Sequence, residues 1–297
     1  MFDLAFLLAP SYTTFFFGML LRKTSAFDDS AATVLFRLVH RLTLPALLLS
    51  VLPYVVISHT MFLLPLISIL LMLATVVAAT LAAKASGMNT MSCAVLVSGS
   101  AIMNLGFVMP FIQSFYGDDG LARLFLFGIP NGLSACAIAS TFAGKEGVPC
   151  KKELAKKFMT SPPLLTLIAA LLMNAFGLHP APIAVAILHS IGGLTIPLIL
   201  LGLGMSFRIA KINPFHLATA ITLRMLLGLC LGVWLANLFH LEGLDRAIAV
   251  LSASAPAGVD IMRLASLEKL DREYATTFAA SCMIASMFFV PLLLTLV

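Results

Sequence analysis

The stretch SGSAIMNLGFVMPFIQSFY, residues 98–116, decides the fold of this chain. It is apolar enough for a membrane-spanning helix, but Asn104, Gly106 and Pro110 lie near its middle. Glycine loosens the backbone, and proline lacks an N–H donor and clashes with the carbonyl four residues earlier. We therefore predict two half-helices with an opened turn between them. Because unpaired backbone groups are tolerated at membrane depth only inside protein or beside a polar cavity, the turn indicates a binding site.

A second stretch, VLSASAPAGVDIMRLASLE (residues 250–268), has a similar interruption. It contains Pro256, Gly258 and Asp260, and Gly258 follows Gly106 by 152 residues. The same separation links three further pairs: Pro10 with Pro162, Thr43 with Thr195, and Pro45 with Pro197. Because these residues follow the same order in both halves, we predict that the chain is an internal duplication.

The composition is typical of a polytopic membrane protein. Hydrophobic residues make up 61% of the 297 residues, charged residues only 10%, and the mean hydropathy is +1.06. At about 20 apolar residues per span, the chain has room for about ten spans and no separate soluble domain. The net charge of +5 comes from cations scattered over the loops, so we expect no nucleic-acid partner.

Ten apolar runs predict an all-α membrane protein with ten transmembrane helices. The runs cover residues 4–22, 33–57, 62–83, 90–115 and 121–143, then 163–178, 183–207, 214–239, 246–267 and 274–297. We predict a first five-helix repeat at 1–143, a basic cytoplasmic loop at 144–161 and a second repeat at 162–297. Because five is an odd number, the second repeat must be inverted in the membrane, with interrupted helices 4 and 9 at corresponding places.

Basic residues predict the orientation. If both termini are outside, the inner loops hold twelve lysines and arginines, whereas the outer loops hold only Arg123 and Arg246. We therefore expect a bacterial inner (plasma) membrane protein with both termini periplasmic. The start MFDLAFLLAP has an acidic residue where a signal peptide has basic ones, so we expect it to be a retained first span.

Paired interruptions in an inverted repeat are typical of a secondary transporter, whose binding site lies near the bilayer midplane. The free N–H groups of half-helix ends offer partial positive charge to an anion. Ordinary packed kinks would explain either interruption alone, but two in register favour a site. The candidate substrate-binding residues are Asn104, Gly106, Pro110, Asn131, Pro256, Gly258 and Asp260.

Charged residues inside the apolar runs leave alternatives open. Asp260 precedes Arg263 by three residues, so it is either an ion-coupling group or half of a structural ion pair. Arg224 is a candidate for substrate attraction or for an ion pair, and the ion pair is favoured. Asn131, beside Pro130, is expected to line the cavity with its amide.

Several other kinds of site have no sequence support. The five cysteines contain no CxxC pair, so we expect no disulfide framework and no metal site. No nucleophile elbow, Walker loop or dinucleotide loop is present, so we predict no enzyme activity and no cofactor. An intramembrane enzyme or a non-transporting receptor stays as the alternative from a different class.

The chain resembles the auxin efflux carrier family, which includes bacterial malate-type permeases. The resemblance lies in its ten-span layout and in FGMLLRKTSAFDDSAATVLFRLVHRLTLPALLLS (17–50), NLGFVMPF (104–111) and APAGVDIMRLA (255–265). It implies two inverted five-helix repeats, whose helices 4 and 9 cross at their prolines. It also implies elevator-like transport of small organic anions, such as carboxylates or auxin-like acids, across the lipid bilayer. A homodimer is possible, but the sequence does not determine the oligomeric state.

The resemblance extends to single residues. Asn104, Gly106 and Pro110 match the first crossing motif, and Pro256 and Gly258 fall in the second. The family usually has asparagine where this chain has Asp260, which adds a negative charge beside the expected anion site. That change slightly raises the weight of the alternative function, a sodium- or proton-coupled symporter or antiporter of the bile-acid-symporter type with Asp260 as coupling residue.

Overall fold

The computed structural model describes residues 2–24, 27, 30–142, 156, 158–267 and 270–296, with the backbone alone at 2–6, 133–142, 263 and 267. Within these residues the chain consists of helices joined by turns and short connections. Most of the predicted basic loop at 144–161, including Cys150, lies outside the described residues.

The helices are numbered here in chain order. They are α1 (Phe2–Leu21), α2 (Ala31–Tyr54), α3 (His59–Ala85), α4 (Thr90–Ala101), α5 (Leu105–Phe142), α6 (Pro162–Ala175), α7 (Pro182–Ser206), α8 (Pro214–Leu238), α9 (Gly243–Ala253), α10 (Asp260–Leu267) and α11 (Arg272–Leu294). Helix α5 is broken at Gly117, whose φ of 56° lies in the left-handed region that favours glycine.

The chain divides into two compact units. The first comprises Met1–Ile57, Met109–Ala122 and Lys157–Phe207. The second comprises Ser58–Val108, Arg123–Lys156 and Arg208–Val297. Each unit therefore draws segments from both halves of the sequence, and the predicted repeat boundaries stay a prediction.

Small residues bring α1 and α7 close together in the first unit. A Cβ added to Gly18 would lie 2.4 Å from the backbone oxygen of Leu201, and one added to Gly204 would lie 2.1 Å from that of Phe15. No side chain fits in so little space, so glycine is required at both contacts. Such small-residue contacts let helix backbones approach where lipid supplies no hydrophobic driving force.

Helices α2 and α8 each contain a wider, π-type turn, at Val39–Thr43 and Thr222–Leu226. In α2 the wide turn precedes Pro45, whose ring would collide with the carbonyl four residues earlier in a regular helix. Widening the turn relieves that collision. In α8 the wide turn carries Arg224, which is fully buried, and such turns are frequent at functional sites.

A buried apolar cluster holds the second unit together. Its fully buried members include Leu96 of α4, Ala257 between α9 and α10, and Phe278 of α11. Gly99 of α4 faces the Phe278 ring so closely that an added Cβ would lie 2.3 Å from it. The cluster therefore fixes the two short helices α4 and α10 against the longer α11.

The described helices include five that are long and apolar enough to cross a membrane, namely α2, α3, α7, α8 and α11. Helices α4 and α6, and residues Leu7–Leu21 of α1, are apolar but shorter. Large apolar side chains such as Phe17, Trp234 and Phe288 are exposed on these surfaces, as lipid-facing side chains are. The described part of the chain is that of an all-helical membrane protein, while the ten-helix inverted repeat stays a prediction.

Candidate functional site

The second unit contains two openings in the helical backbone. Helix α4 ends at Ala101 and α5 begins at Leu105, while α9 ends at Ala253 and α10 begins at Asp260. Both openings fall within the stretches that the sequence marked as interrupted. The first spans residues 102–104, and the second, residues 254–259, is twice as long.

Two residues expected to interrupt the first helix lie instead inside α5. Gly106 is in the first turn of α5 and Pro110 in the second. The helix opens before them because residues 102–104 pair with the second opening, as described next. Pro110 also belongs to the first unit, whereas the other predicted site residues belong to the second.

The two openings pair with each other through an isolated antiparallel bridge. The N–H of Asn104 donates to the carbonyl oxygen of Pro256, with 2.8 Å between the two atoms. In return, the N–H of Gly258 donates to the carbonyl oxygen of Ile102 at 2.9 Å. Helix ends leave backbone groups without partners, and water is absent at membrane depth. Each opening therefore supplies hydrogen-bond partners that the other lacks.

Pro256 and Gly258 suit this pairing for different reasons. Pro256 contributes only its carbonyl oxygen, so its missing N–H is no loss here. Gly258 is required by space, because an added Cβ would lie 2.7 Å from the Cγ2 atom of Ile102. The two predicted residues of the second interruption thus have structural roles in the crossing.

Asn131 of α5 completes the pairing at Met103, the centre of the bridge. Its Oδ1 accepts the Met103 N–H at 2.9 Å, and its Nδ2 donates to the Met103 carbonyl oxygen at 2.7 Å. Met103 is 98% buried, so these backbone groups have no access to solvent. In the structure both ends of the Asn131 amide bind the Met103 backbone, and the predicted role of Asn131 in lining a cavity stays a prediction.

Asn104 caps the start of α5 with its side-chain oxygen, and its side-chain nitrogen takes no part in the cap. Its Oδ1 accepts the N–H of Phe107 at 3.1 Å, which is the usual N-cap interaction. Its Nδ2 is buried and has no hydrogen-bond partner among the described residues. A buried amide donor without a partner is costly, so this group is a candidate for binding a ligand acceptor.

Arg224 lies at the C-terminal ends of two half-helices. Its Nε donates to the carbonyl oxygen of Ala255 and its Nη1 to that of Ser100, both at 2.8 Å, and its Nη2 donates to that of Ala253. Ser100 is in the last turn of α4, and Ala253 ends α9. The sequence favoured an ion pair for Arg224, but its described partners are backbone carbonyls.

Gly228, one turn after Arg224 in α8, makes this arrangement sterically feasible. An added Cβ at Gly228 would lie 2.4 Å from the carbonyl oxygen of Ala253 and 3.2 Å from Nη2 of Arg224. Sequence reasoning missed this role because the partners are backbone atoms of distant segments. The available signal was an arginine in an apolar run with a glycine four residues later.

Asp260 is the first residue of α10, and its side chain is exposed. A carboxylate in the first turn of a helix is stabilised by the helix dipole. The side chain of Arg263 lies outside the described residues, so the predicted pair of Asp260 with Arg263 stays a prediction.

Sequence reasoning also missed an ion pair in the second unit. Nε of Arg123 in α5 lies 2.5 Å from Oδ1 of Asp245 in α9. The hydroxyls of Ser58 and Thr60, at the start of α3, donate to the other oxygen of Asp245. The sequence analysis took Arg123 as an outer-loop cation, because nothing in the sequence links residue 123 with residue 245.

A polar cavity of about 280 Å³ lies at the N-terminal ends of α4, α8 and α11. Asn89, Asn213 and Asp271 line it, and each caps the helix that follows by accepting a backbone N–H. Lys211 and His216 also line it. These capping residues were a readable signal that the sequence analysis did not use.

In the described residues, no group of His, Cys, Asp and Glu is arranged to hold a metal ion. Cys93, Cys230 and Cys282 have free thiols. The polar side chains near the crossing are the amides of Asn104 and Asn131, serine hydroxyls, the Arg224 guanidinium and, at the start of α10, the exposed carboxylate of Asp260.

No known family model matches the chain. The chain is 26% identical over 278 residues to an uncharacterized transporter of Methanothermobacter thermautotrophicus, and the alignment covers 91% of this chain and 89% of the relative. It is 28% identical over 183 residues to an uncharacterized transporter of Methanocaldococcus jannaschii, with 59% of each chain covered. Over most of its length, the chain is therefore similar to a protein named as a transporter.

Proposed function

We propose that the chain is a secondary transporter of small organic anions, of the auxin efflux carrier type, that binds its substrate at the crossing of the two openings. The observation that carries the proposal is the pair of openings held together by reciprocal backbone hydrogen bonds, beside the unpartnered amide donor of Asn104. Similarity to proteins named as transporters supports the transport part of the proposal. Elevator-like alternating access and periplasmic termini are part of this proposal.

The two half-helix N-termini at the crossing are not equivalent for an anion. Helix α10 begins with Asp260, whose carboxylate already neutralises the positive end of that helix. Helix α5 begins after the neutral Asn104, so its positive end is not compensated in this way. We place the substrate carboxylate at the start of α5, where it would accept a hydrogen bond from Asn104 Nδ2.

The test separates the amide donor from the helix cap. Asn104→Ser keeps a side-chain oxygen that can cap α5 but removes the Nδ2 donor. Asn104→Asp keeps the cap and adds a negative charge that repels an anion. We expect the affinity for a carboxylate to fall about tenfold in Asn104→Ser, because one charge-assisted hydrogen bond is lost. It should fall further in Asn104→Asp, because the added negative charge also repels the carboxylate.

The measurements are a thermal-shift screen of purified protein against mono- and dicarboxylates, then uptake of the best ligand into proteoliposomes. Asn237→Ser is the matched control. Asn237 is exposed on the surface of α8, and its Oδ1 accepts a hydrogen bond from Arg246 of α9. Unchanged carboxylate affinity in both Asn104 variants would contradict the site. Absence of any solute flux by wild-type protein would contradict the function.

The ion-coupled alternative is tested at Asp260. If Asp260 carries a sodium ion or proton, Asp260→Asn must abolish the dependence of uptake on that ion. Because Asp260 is exposed at the start of α10, we expect Asp260→Asn to transport with an unchanged response to sodium and to pH. A lost ion response in Asp260→Asn would instead establish the alternative.

A further inference from the structure

The position of Arg224 has a consequence for ion coupling. The last carbonyl oxygens of a helix carry partial negative charge, and the helix dipole adds to it. At the crossing, two such ends, those of α4 and α9, are bound by one guanidinium through Ser100, Ala253 and Ala255. The side chain is fully buried, so it is not screened by solvent.

In transporters with interrupted helices, unwound carbonyls and half-helix C-terminal ends are the groups that bind a coupling cation. Here the corresponding carbonyl oxygens already have a cationic partner. We propose that Arg224 is a resident counter-ion that occupies the position of a coupling cation at the crossing. Given the proposed function, the crossing then binds its anionic substrate with no need for a sodium ion.

Two other roles for Arg224 fit the geometry less well. Substrate attraction requires access to the guanidinium, but the side chain has no exposed surface. An ion pair requires a nearby carboxylate, but in the described part of the chain the Arg224 partners are carbonyl oxygens. Gly228 further indicates that the packing of α8 against α9 is fitted to this side chain.

The first experiment measures the thermal stability of the purified full chain, which requires no knowledge of the substrate. Arg224→Ala should lower Tm by about 10 °C, because three carbonyl oxygens lose their cationic partner. Arg224→Lys should lower it less, because an ammonium keeps the charge but not the fork of donors. Arg246→Ala removes a half-buried arginine of the same unit that donates to the exposed Asn237, and it should leave Tm within about 1 °C.

Rescue distinguishes a counter-ion from a merely bulky side chain. Guanidinium chloride at low millimolar concentration should raise the Tm of Arg224→Ala by about 3 °C once it reaches ten times its Kd. Choline chloride should give no such rise, and neither salt should stabilise wild type. Wild-type stability in Arg224→Ala, or equal effects of both salts on that variant, would overturn the proposal.

Wild-type protein provides a test that does not depend on the folding of any variant. Replacing choline with sodium should leave its Tm unchanged, and uptake into proteoliposomes should not depend on sodium. A sodium-dependent rise in wild-type Tm would overturn the resident counter-ion. If the Tm results are as expected but the protein takes up no solute, the proposed function is contradicted. The role of Arg224 as a counter-ion is then still supported.

Discussion

The two openings of the second unit bind each other but are stabilised by different chemistry. The first, residues 102–104, is held by a neutral amide, because Asn131 binds both backbone groups of Met103. The second, residues 254–259, exposes more carbonyl oxygens and is held by the cation of Arg224. The two openings, which the predicted duplication makes equivalent, thus differ in the side chain that binds them, and Arg224 also binds the end of α4 through Ser100.

The sequence separation of the two halves shows where they diverge. Ala101 and Ala253, the last residues of α4 and α9, are 152 residues apart, whereas Leu105 and Asp260, the first residues of α5 and α10, are 155 apart. The second opening thus contains three additional residues. At membrane depth, the carbonyl oxygens of an unwound segment and of the helix ends beside it need partners. The Arg224 guanidinium binds three such oxygens, of which only that of Ala255 lies in the second opening.

The absence of counterparts is visible in the sequence. The residues 152 and 153 positions before Arg224 are Met72 and Leu71, both apolar. The residues 152 to 155 positions after Asn131 are Met283, Ile284, Ala285 and Ser286, none of which has an amide side chain. The difference between the two openings can therefore be tested one side chain at a time.

The largest expected effect among these tests comes from removing the amide of the first opening. Asn131→Leu keeps the branched shape of the side chain but leaves the N–H and carbonyl oxygen of Met103 buried and unpaired. At about 1–3 kcal/mol for each of the two unpaired groups, we expect the free energy of unfolding to fall by about 2–6 kcal/mol. Thermal unfolding of the purified protein measures this as a lower Tm.

The control for that prediction is Met283→Leu, at a buried apolar position in the same unit. An exchange of similar volume between apolar residues should change stability by less than about 1.5 kcal/mol. If Asn131→Leu lowers the free energy of unfolding no more than Met283→Leu does, the amide does not stabilise the crossing. The difference between the two openings would then have no effect on stability.

A smaller effect is expected at Gly258, where the two openings touch. Gly258→Ala places a Cβ against Cγ2 of Ile102 and should strain the reciprocal hydrogen bonds, lowering the free energy of unfolding by about 1–3 kcal/mol. The double variant Ile102→Ala, Gly258→Ala should be more stable than the sum of the single effects predicts. If the effects of Ile102→Ala and Gly258→Ala simply add, contact with Ile102 is not the reason that glycine is required at position 258.

The sequence predicted the existence of the openings better than their details. The run predicted at 62–83 is helix α3, His59–Ala85, and both openings lie in the stretches marked by proline, glycine and polar residues. These features are local, so composition reveals them. Pro110 shows the limit: the sequence placed the break beside it, but the helix resumes at Leu105 because the opening is fixed by its partner segment.

The stabilising side chains were harder to predict because their partners are backbone atoms far away in the sequence. Arg224 binds Ser100, which is 124 residues earlier, and Asn131 binds Met103 across 28 residues. A carbonyl oxygen looks the same at every position in a sequence, so no pattern of residue types reveals such a contact. An arginine in an apolar run signals a function, but only the fold shows which one.

The smallest expected effect concerns two hydroxyls beside the openings. Ser100 and Ser252 are 152 residues apart and fully buried, and neither hydroxyl has a hydrogen-bond partner among the described residues. Their neighbours Ser98 and Ser254 are also buried, but each donates to a backbone carbonyl oxygen in its own helix or turn. The four serines thus form matched pairs that differ in whether the hydroxyl is satisfied.

We expect Ser100→Ala and Ser252→Ala to leave the free energy of unfolding unchanged or to raise it by up to about 1 kcal/mol, because each removes an unsatisfied buried group. Ser98→Ala and Ser254→Ala should lower it by about 1 kcal/mol, the net contribution of a hydrogen bond. Destabilisation by Ser100→Ala alone would show that the first opening needs a hydroxyl as well as an amide. Because the Ser100 carbonyl oxygen accepts a hydrogen bond from Arg224, such a result would also show that Arg224 helps to stabilise the first opening.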